Sequence, residues 1–282
     1  MKSLTINSYA KINIGLKIIN QKPNSYHNIE TVFQELEFHD VITITKTNEE
    51  FQLSSNNEEF PVSTTNTCAQ AYFKLKKEFP ALEGVKIHVN KNIPMGGGLG
   101  GGSSNAASAM IGINKLYNIG LTKAELKNIS KNIGADVPFF IEGGVQHGKG
   151  TGDRLTPLNI KLPFIILLIF PNIAVNTRWA YSQIRNKLEM PIKAVNFADL
   201  IEKDIIPFQL FENDFEKIVF STYPEIGLIK SKLLDNNASF ASLSGSGSTV
   251  FGFFNDEADA ISAELLFSKS YKTIITQPLF SR

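Results

Sequence analysis

Seven consecutive positions, Gly96-Gly97-Gly98-Leu99-Gly100-Gly101-Gly102, hold six glycines and one leucine; Pro94-Met95 precede them and Ser103-Ser104-Asn105-Ala106-Ala107 follow. Glycine loses the most backbone freedom on folding, so such a run is not there for stability. It suits a place where backbone N–H groups must approach a ligand closely. Ser103, Ser104 and Asn105 are good N-cap types, and small and apolar residues through Leu116 continue as a helix. Glycines that feed a helix N-terminus form an anion site: free amides point outward and the helix dipole favours negative charge. The implied chemistry is polyphosphate binding. A flexible linker is the plainer explanation, but linkers have polar, low-complexity flanks. Here the run lies between an expected strand, 85–89, and an apolar helix.

Several phosphate motifs compete. A P-loop needs Lys-Ser or Lys-Thr after its last glycine, and this chain has Ser103-Ser104. Gly96, Gly98 and Gly101 match G-x-G-x-x-G, the dinucleotide fingerprint, which also requires a strand and an acidic residue about 20 positions on. Instead, Leu121-Thr122-Lys123-Ala124-Glu125-Leu126 opens a second helix. The Lys, His-Arg-Asp and Asp-Phe-Gly partners of a protein-kinase loop are missing from the sequence. A dinucleotide-binding oxidoreductase and a non-catalytic nucleotide-binding module stay open as alternatives to a kinase.

The stretch Pro94 to Ala107 strongly resembles the ATP loop of the GHMP kinases, the superfamily of galactokinase, homoserine, mevalonate and phosphomevalonate kinases. Two further segments agree in order and spacing: Ala10-Lys11-Ile12-Asn13-Ile14-Gly15-Leu16, and Leu243-Ser244-Gly245-Ser246-Gly247-Ser248-Thr249-Val250-Phe251. The likeness runs over nearly the whole chain. Ala10 to Asn13, then Tyr26-His27, then Gly134-Ala135-Asp136-Val137-Pro138-Phe139-Phe140 resemble the branch that acts on 4-diphosphocytidyl-2-C-methyl-D-erythritol. Where that branch has Asp-Gly before its Tyr-His pair, this chain has Asn24-Ser25.

The resemblance implies a two-domain α+β fold with the active site in the cleft between domains. It implies direct transfer of the γ-phosphoryl group of ATP to the acceptor's 2-hydroxyl, without a phosphoenzyme, in the non-mevalonate route to isoprenoid precursors. Another GHMP kinase, acting on homoserine, mevalonate or a sugar, is the nearest alternative. Pro94, Met95, Gly96, Gly97, Gly98, Leu99, Gly100, Gly101, Gly102, Ser103 and Ser104 match the ATP loop, with Ser103 or Ser104 able to offer a hydroxyl to phosphate or Mg²⁺. Mg²⁺ is expected to be held mainly by ATP oxygens, and no protein metal ligand is assigned. Asp136 matches the family's base. A loose transition state asks little proton abstraction before the P–O bond breaks, so a weakly basic carboxylate suffices. Lys11 is its charge partner, able to offset charge on the moving phosphoryl group. Without the resemblance, Asp136 reads as a helix cap before Pro138, and Lys11 as a solvent-facing strand lysine.

Tyr26 and His27 match the cytidine-recognition pair, one a stacking face and the other a donor and acceptor for the base edge. Tyr181, after Thr177-Arg178-Trp179-Ala180, stands where a second ring could close the sandwich, with core packing as the alternative. Lys149 could reach the cytidine side, and Asn13 could bond the diol or its phosphate. Gly245, Ser246 and Gly247 match the third superfamily loop, which packs against the ATP loop; read alone they are a hairpin turn.

These residues need elements to hold them. The chain has 282 residues, a formal net charge of +1 and 43% hydrophobic content. This is enough for a real core, and the near-neutral balance gives no general pull toward nucleic acid or membrane. Cys68 is the single cysteine, so no intrachain disulfide forms, and it reads as a small core residue. Residues 1–7 carry no apolar signal core, and the longest apolar run, 164–170, is too short to span a bilayer. The expectation is a soluble cytoplasmic protein with small-molecule substrates and no obligate protein partner. Alternation predicts strands over 3–19 and 29–45, and the polar, acidic stretch 48–59 reads as a solvated edge or excursion. Helices are expected from Asn66 or Thr67 to Phe79, from Thr122 to a stop at Gly134, and over 136–140. Beyond 157–163, the expected boundary between domains 1–158 and 159–282, the order is strand 164–170, helix 177–188, helices within 196–234, strands 239–243 and 248–254, helix 256–268 and strand 271–276. Mixed order of this kind argues α+β for both halves.

Overall fold

In a computed structural model of the chain, the structure describes residues 2–22, 27–184 and 196–280. The fold is α+β, and its contacts separate into two compact units. The first comprises Met1–Ala10, Phe38–Met95 and Gly100–Gly143; the second comprises Lys11–Glu37, Gly96–Leu99 and Gly144–Arg282. The long strands β1 (Ser3–Gln21) and β2 (His27–Thr47) pass from one unit into the other, as does the glycine run.

In the first unit the C-terminal half of β2 pairs antiparallel with β4 (Gly84–Asn90), from Val41 opposite Asn90 to Thr47 opposite Gly84. The other edge of β4 takes β3 (Phe51–Ser55) in parallel. Residues 48–59 are therefore the solvated edge of the sheet, with β3 partly buried and its flanking turns largely exposed; a parallel neighbour supplies the ladder that their composition does not advertise. Period-2 alternation sends Val85, Ile87 and Val89 into the core and Lys86, His88 and Asn90 out. Helices α1 (Thr67–Glu78) and α2 (Gly101–Tyr117) pack together beside this sheet. Gly112 lets α2 come close: an added Cβ would meet Ile44 Cδ1 at 2.3 Å and Ile6 Cδ1 at 2.9 Å.

Helix termini follow local chemistry. Asn66 caps α1, its Oδ1 accepting from the Cys68 amide at 2.8 Å. Thr122 and Glu125 close a capping box on α3 (Lys123–Ser130). That helix ends before Gly134, which instead lies in the turn into α4 (Val137–Glu142). Pro138 stands in the first turn of α4, where its missing N–H costs nothing.

In the second unit the N-terminal half of β2 pairs with β5 (Val145–Lys149), and β5 turns back into β6 (Arg154–Pro157). A second sheet is wholly antiparallel in the order β10-β7-β9-β8, with β7 at Ile165–Phe170, β8 at Phe240–Leu243, β9 at Val250–Phe254 and β10 at Lys272–Thr276. One face of it, with Leu167, Ile169 and Val250, is covered by α5 (Thr177–Ile184), α7 (Glu216–Thr222), α8 (Pro224–Asp235) and α9 (Glu257–Phe267) through Ala180, Val219, Ile229 and Ala263. The alternate positions build a phenylalanine layer, in which Phe164 stacks on Phe253 at 5.1 Å and Phe208 on Phe240 at 5.0 Å. The short helix α6 (Phe197–Ile201) lies under Gly15. The final four residues of the expected helix 177–188 lie outside the described residues. So does Tyr26.

Candidate active site

The start of α2 differs from the expectation in one informative way. Its N-cap is Gly100, in a left-handed conformation at φ 70°, and no side chain caps it. No acidic residue lies in the first turn. Ser103, Ser104 and Asn105 are thus inside the helix rather than its caps, and the leading amides are left to the backbone and to a ligand. Ser104 is fully buried, and its Oγ accepts from Ser8 Oγ at 2.8 Å. Ser103 is only partly buried. Thr67 Oγ1 donates to the Gly102 carbonyl at 2.7 Å, tying α1 to the same turn.

The glycine run is held from beneath by the Gly245-Ser246-Gly247 loop. Gly98 has φ +82°, and a Cβ there would stand 1.9 Å from the Ser244 carbonyl oxygen. A Cβ on Gly247 would stand 2.2 Å from the Gly98 nitrogen. Two backbones touch where no side chain fits, which explains glycine at both positions. Ser244 Oγ donates to the Gly98 carbonyl at 3.0 Å, and the Thr249 amide to the Gly97 carbonyl at 3.3 Å. Asn213 Nδ2 donates to the carbonyls of Leu243 and Gly245, both at 2.8 Å, and so fixes the loop from below. The hairpin reading of residues 243–250 also holds, since Leu243 pairs with Val250.

Lys11 is no solvent-facing lysine: it is 3% exposed. Its Nζ donates to Asn13 Oδ1 at 2.6 Å and to the Gly98 carbonyl at 2.7 Å, and its amide donates to the Leu99 carbonyl at 3.0 Å. Asn13 Nδ2 in turn donates to Thr31 Oγ1 at 3.0 Å, which donates to the Gly15 carbonyl at 2.6 Å. The three sequence segments thus contribute to one knot in the second unit: Lys11 and Asn13, Gly97 to Leu99, and Ser244 to Thr249.

Asp136 lies in the first unit, partly buried, at the N-cap position of α4, and its side chain makes no capping bond to that helix. Capping therefore does not account for the carboxylate. Its turn runs against the glycine-run helix: a Cβ on Gly134 would stand 3.5 Å from Ser103 Oγ.

His27 is buried and stacks on Tyr181, ring centroids 5.0 Å apart at 26°. One face of Tyr181 is therefore covered by His27, and its ring also meets Phe215 edge-on at 4.8 Å. Tyr181 thus backs His27 with one face and is held edge-on by Phe215. Ser246 Oγ meets Thr177 Oγ1 at 3.0 Å, joining the third loop to the helix that carries Tyr181. Lys149 is exposed at the end of β5.

Buried polar residues, Asn105 together with others outside the motifs, support this frame. Asp40, Lys91 and Asn105 form a connected cluster in the first unit. In the second, Glu30 accepts from the Phe197 amide at 3.2 Å and lies 3.1 Å from His147 Nε2. Their signal in the sequence is only a charge or amide in or beside an apolar strand or helix, which carries no partner with it.

Such a fold, with a helix-leading glycine run locked onto a second glycine loop, defines a GHMP kinase. The family described as "GHMP kinases N terminal domain" matches residues 66–144, and that described as "GHMP kinases C terminal" matches residues 196–272. The chain belongs, more narrowly, to the 4-diphosphocytidyl-2-C-methyl-D-erythritol kinase family. It is 37% identical over 282 residues to the kinase of that name from Chloroherpeton thalassium, covering 99% of each chain. It is 38% identical to the one from Prosthecochloris aestuarii, over 100% of this chain and 99% of that one. A crystal structure of 4-(cytidine 5'-diphospho)-2C-methyl-D-erythritol kinase superposes with a TM-score of 0.79 at 25% identity, covering 98% of this chain and 99% of that one. The homoserine kinase of Cytophaga hutchinsonii, 16% identical, shares the fold with a TM-score of 0.74 over 100% of this chain and 96% of that one. The dinucleotide-binding alternative falls here, and ATP is the phosphoryl donor that this kinase family implies. Among the described residues no helix is long and apolar enough to cross a membrane.

Proposed function

We propose that this chain transfers the γ-phosphoryl group of ATP to the 2-hydroxyl of 4-diphosphocytidyl-2-C-methyl-D-erythritol. The observation that carries this reading is the buried Lys11 ammonium fixed on Gly98 of the glycine run, in a chain that matches kinases named for this substrate from end to end. Amides of Gly96 to Ser103 grip the phosphates, with Pro94 and Met95 at the entry; Ser104, occupied by Ser8, holds the helix start instead. Lys11 offsets charge on the phosphoryl group in transit, and Asp136 orients and deprotonates the acceptor hydroxyl. Asn13 sets the direction of the ammonium. Mg²⁺ bound through ATP oxygens would supply Lewis-acid charge neutralisation, and the partly buried Ser103 hydroxyl would offer it an oxygen. Tyr26 and His27 recognise cytosine, Tyr181 holds the His27 ring, and the exposed Lys149 is offered to the cytidine side.

We also propose the domain division 1–158 and 159–282, since the two family matches fall on either side of it. Cytoplasmic location and the lack of an obligate protein partner fit a kinase of small diffusible substrates. ADP release measured with the cytidyl acceptor, homoserine and mevalonate tests the substrate: turnover with either of the latter and none with the first rejects it. An unchanged KM for the acceptor in Tyr181→Ala would remove the support role given to that ring.

A further inference from the structure

The carboxylate of Asp40 is completely buried in the first unit, and nothing in the phosphoryl-transfer chemistry calls for it. It stands where the β2–β4 ladder ends. Val41 pairs with Asn90, so Asp40 comes opposite Lys91 at the point where the chain leaves β4 toward the glycine run. Four donors converge on it. Oδ1 accepts from the amides of Asn92 at 2.7 Å and Ile93 at 2.8 Å. Oδ2 accepts from Asn105 Nδ2 at 2.8 Å and pairs with the Lys91 ammonium, itself nearly buried. One oxygen therefore holds the residues before the run, and the other holds a helix residue just after it.

The cluster continues on the helix side. Asn105 Nδ2 also donates to Ser8 Oγ at 2.9 Å, and Ser8 Oγ donates to Ser104 Oγ at 2.8 Å. A Cβ added to Gly101 would stand 3.2 Å from Lys91 Nζ, so the ammonium lies directly beneath the first residue of α2. A run of six glycines cannot fix its own ends, because each glycine adds backbone freedom. A carboxylate that accepts on both oxygens can.

We propose that Asp40 is a positioning residue for phosphoryl-donor binding: it clamps the two ends of the glycine run so that its amides are set before ATP arrives. The proposal rests on reading that run as the ATP site. Asparagine at 40 keeps the shape but replaces one acceptor oxygen with a donor, which faces Lys91 or Asn105 with a second donor. The Lys91 charge is then buried without its counter-charge. Ser8→Ala removes only a neutral link of the same cluster and keeps the question answerable where Asp40→Asn folds poorly.

The experiment measures KM for ATP and for the cytidyl acceptor in the full chain, together with amide exchange across residues 92–105. The clamp predicts that KM for ATP rises about tenfold in Asp40→Asn and about threefold in Ser8→Ala, while KM for the acceptor stays within about twofold. Exchange should quicken over 92–105 and not elsewhere. An unchanged KM for ATP, an equal rise for both substrates, or exchange that quickens throughout the molecule would overturn it. Should the wild-type chain bind no ATP, the reading of the run fails on its own; the exchange pattern still decides whether Asp40 holds it, and uniform quickening rejects the clamp.

Discussion

The Lys11 ammonium donates a 2.7 Å hydrogen bond to the carbonyl of Gly98, so the one buried cation of β1 is bonded to the backbone of the glycine run. Asn13 Oδ1 at 2.6 Å takes a second proton of the same ammonium and fixes its direction. A charge held this way needs no rearrangement when a phosphoryl group arrives, which is the condition under which electrostatic stabilisation works well.

Lys11→Met should therefore lower kcat by roughly 10²-fold or more. Lys11→Arg should not restore it, because a planar guanidinium cannot occupy a site shaped for a compact ammonium between Asn13 and Gly98. Steady-state ADP release measures both. Near wild-type kcat in the arginine variant would show that charge alone suffices.

Two alanine substitutions in the same run should differ sharply. At Gly96 an added Cβ meets nothing within 4 Å, so the cost is that of a left-handed φ, about 1–2 kcal/mol. At Gly98 the Cβ would lie 1.9 Å from the Ser244 carbonyl oxygen, and backbone must move. Urea unfolding should show the second penalty to be clearly the larger. Equal penalties would mean that the two glycine loops do not touch.

The helix that begins beside Asp136 is tied down by an acid-sensitive pair. The hydrogen bond from Lys127 holds the Glu142 carboxyl below its ordinary value of 4.5; partial burial opposes this and the bond from Lys123 adds to it. A carboxyl depressed in the folded state stabilises above its unfolded value and loses that contribution as pH falls through the folded one. The stability difference between wild type and Glu142→Gln should be present at pH 7 and shrink only below pH 4.5, as pH falls through the lowered folded-state value. A difference unchanged between pH 7 and pH 3 would rule out the ion pair as its cause.

Cys68 is buried in α1, and burial pushes its thiol up to about 12. A thiol reagent at pH 8 should leave the native chain unlabelled and modify it fully once it is unfolded. Rapid labelling of the native protein would place Cys68 at the surface.

Much of this was legible in the residues. The β7 strand between Pro163 and Pro171, the Thr122–Glu125 capping box and the three glycine-bearing segments all declare themselves locally. The end of α2 was legible too, but its beginning was not. Ser103, Ser104 and Asn105 look like caps because capping and burial in a polar cluster call for the same small polar side chains. The cluster that claims Ser104 and Asn105 contains Ser8 and Asp40, more than sixty residues away in the chain, and no local pattern shows them together. Likewise β3 has few apolar residues to mark it, because its order comes from pairing with β4 rather than from a buried face of its own.

The account stands or falls on where the phosphoryl group goes. Phosphorus NMR of wild-type protein incubated with ATP and 4-diphosphocytidyl-2-C-methyl-D-erythritol should show one new phosphomonoester resonance for every ADP formed, and Asp136→Ala should slow its appearance by about 10²-fold or more. ADP formed without that resonance, or an Asp136→Ala variant as fast as wild type, would contradict it.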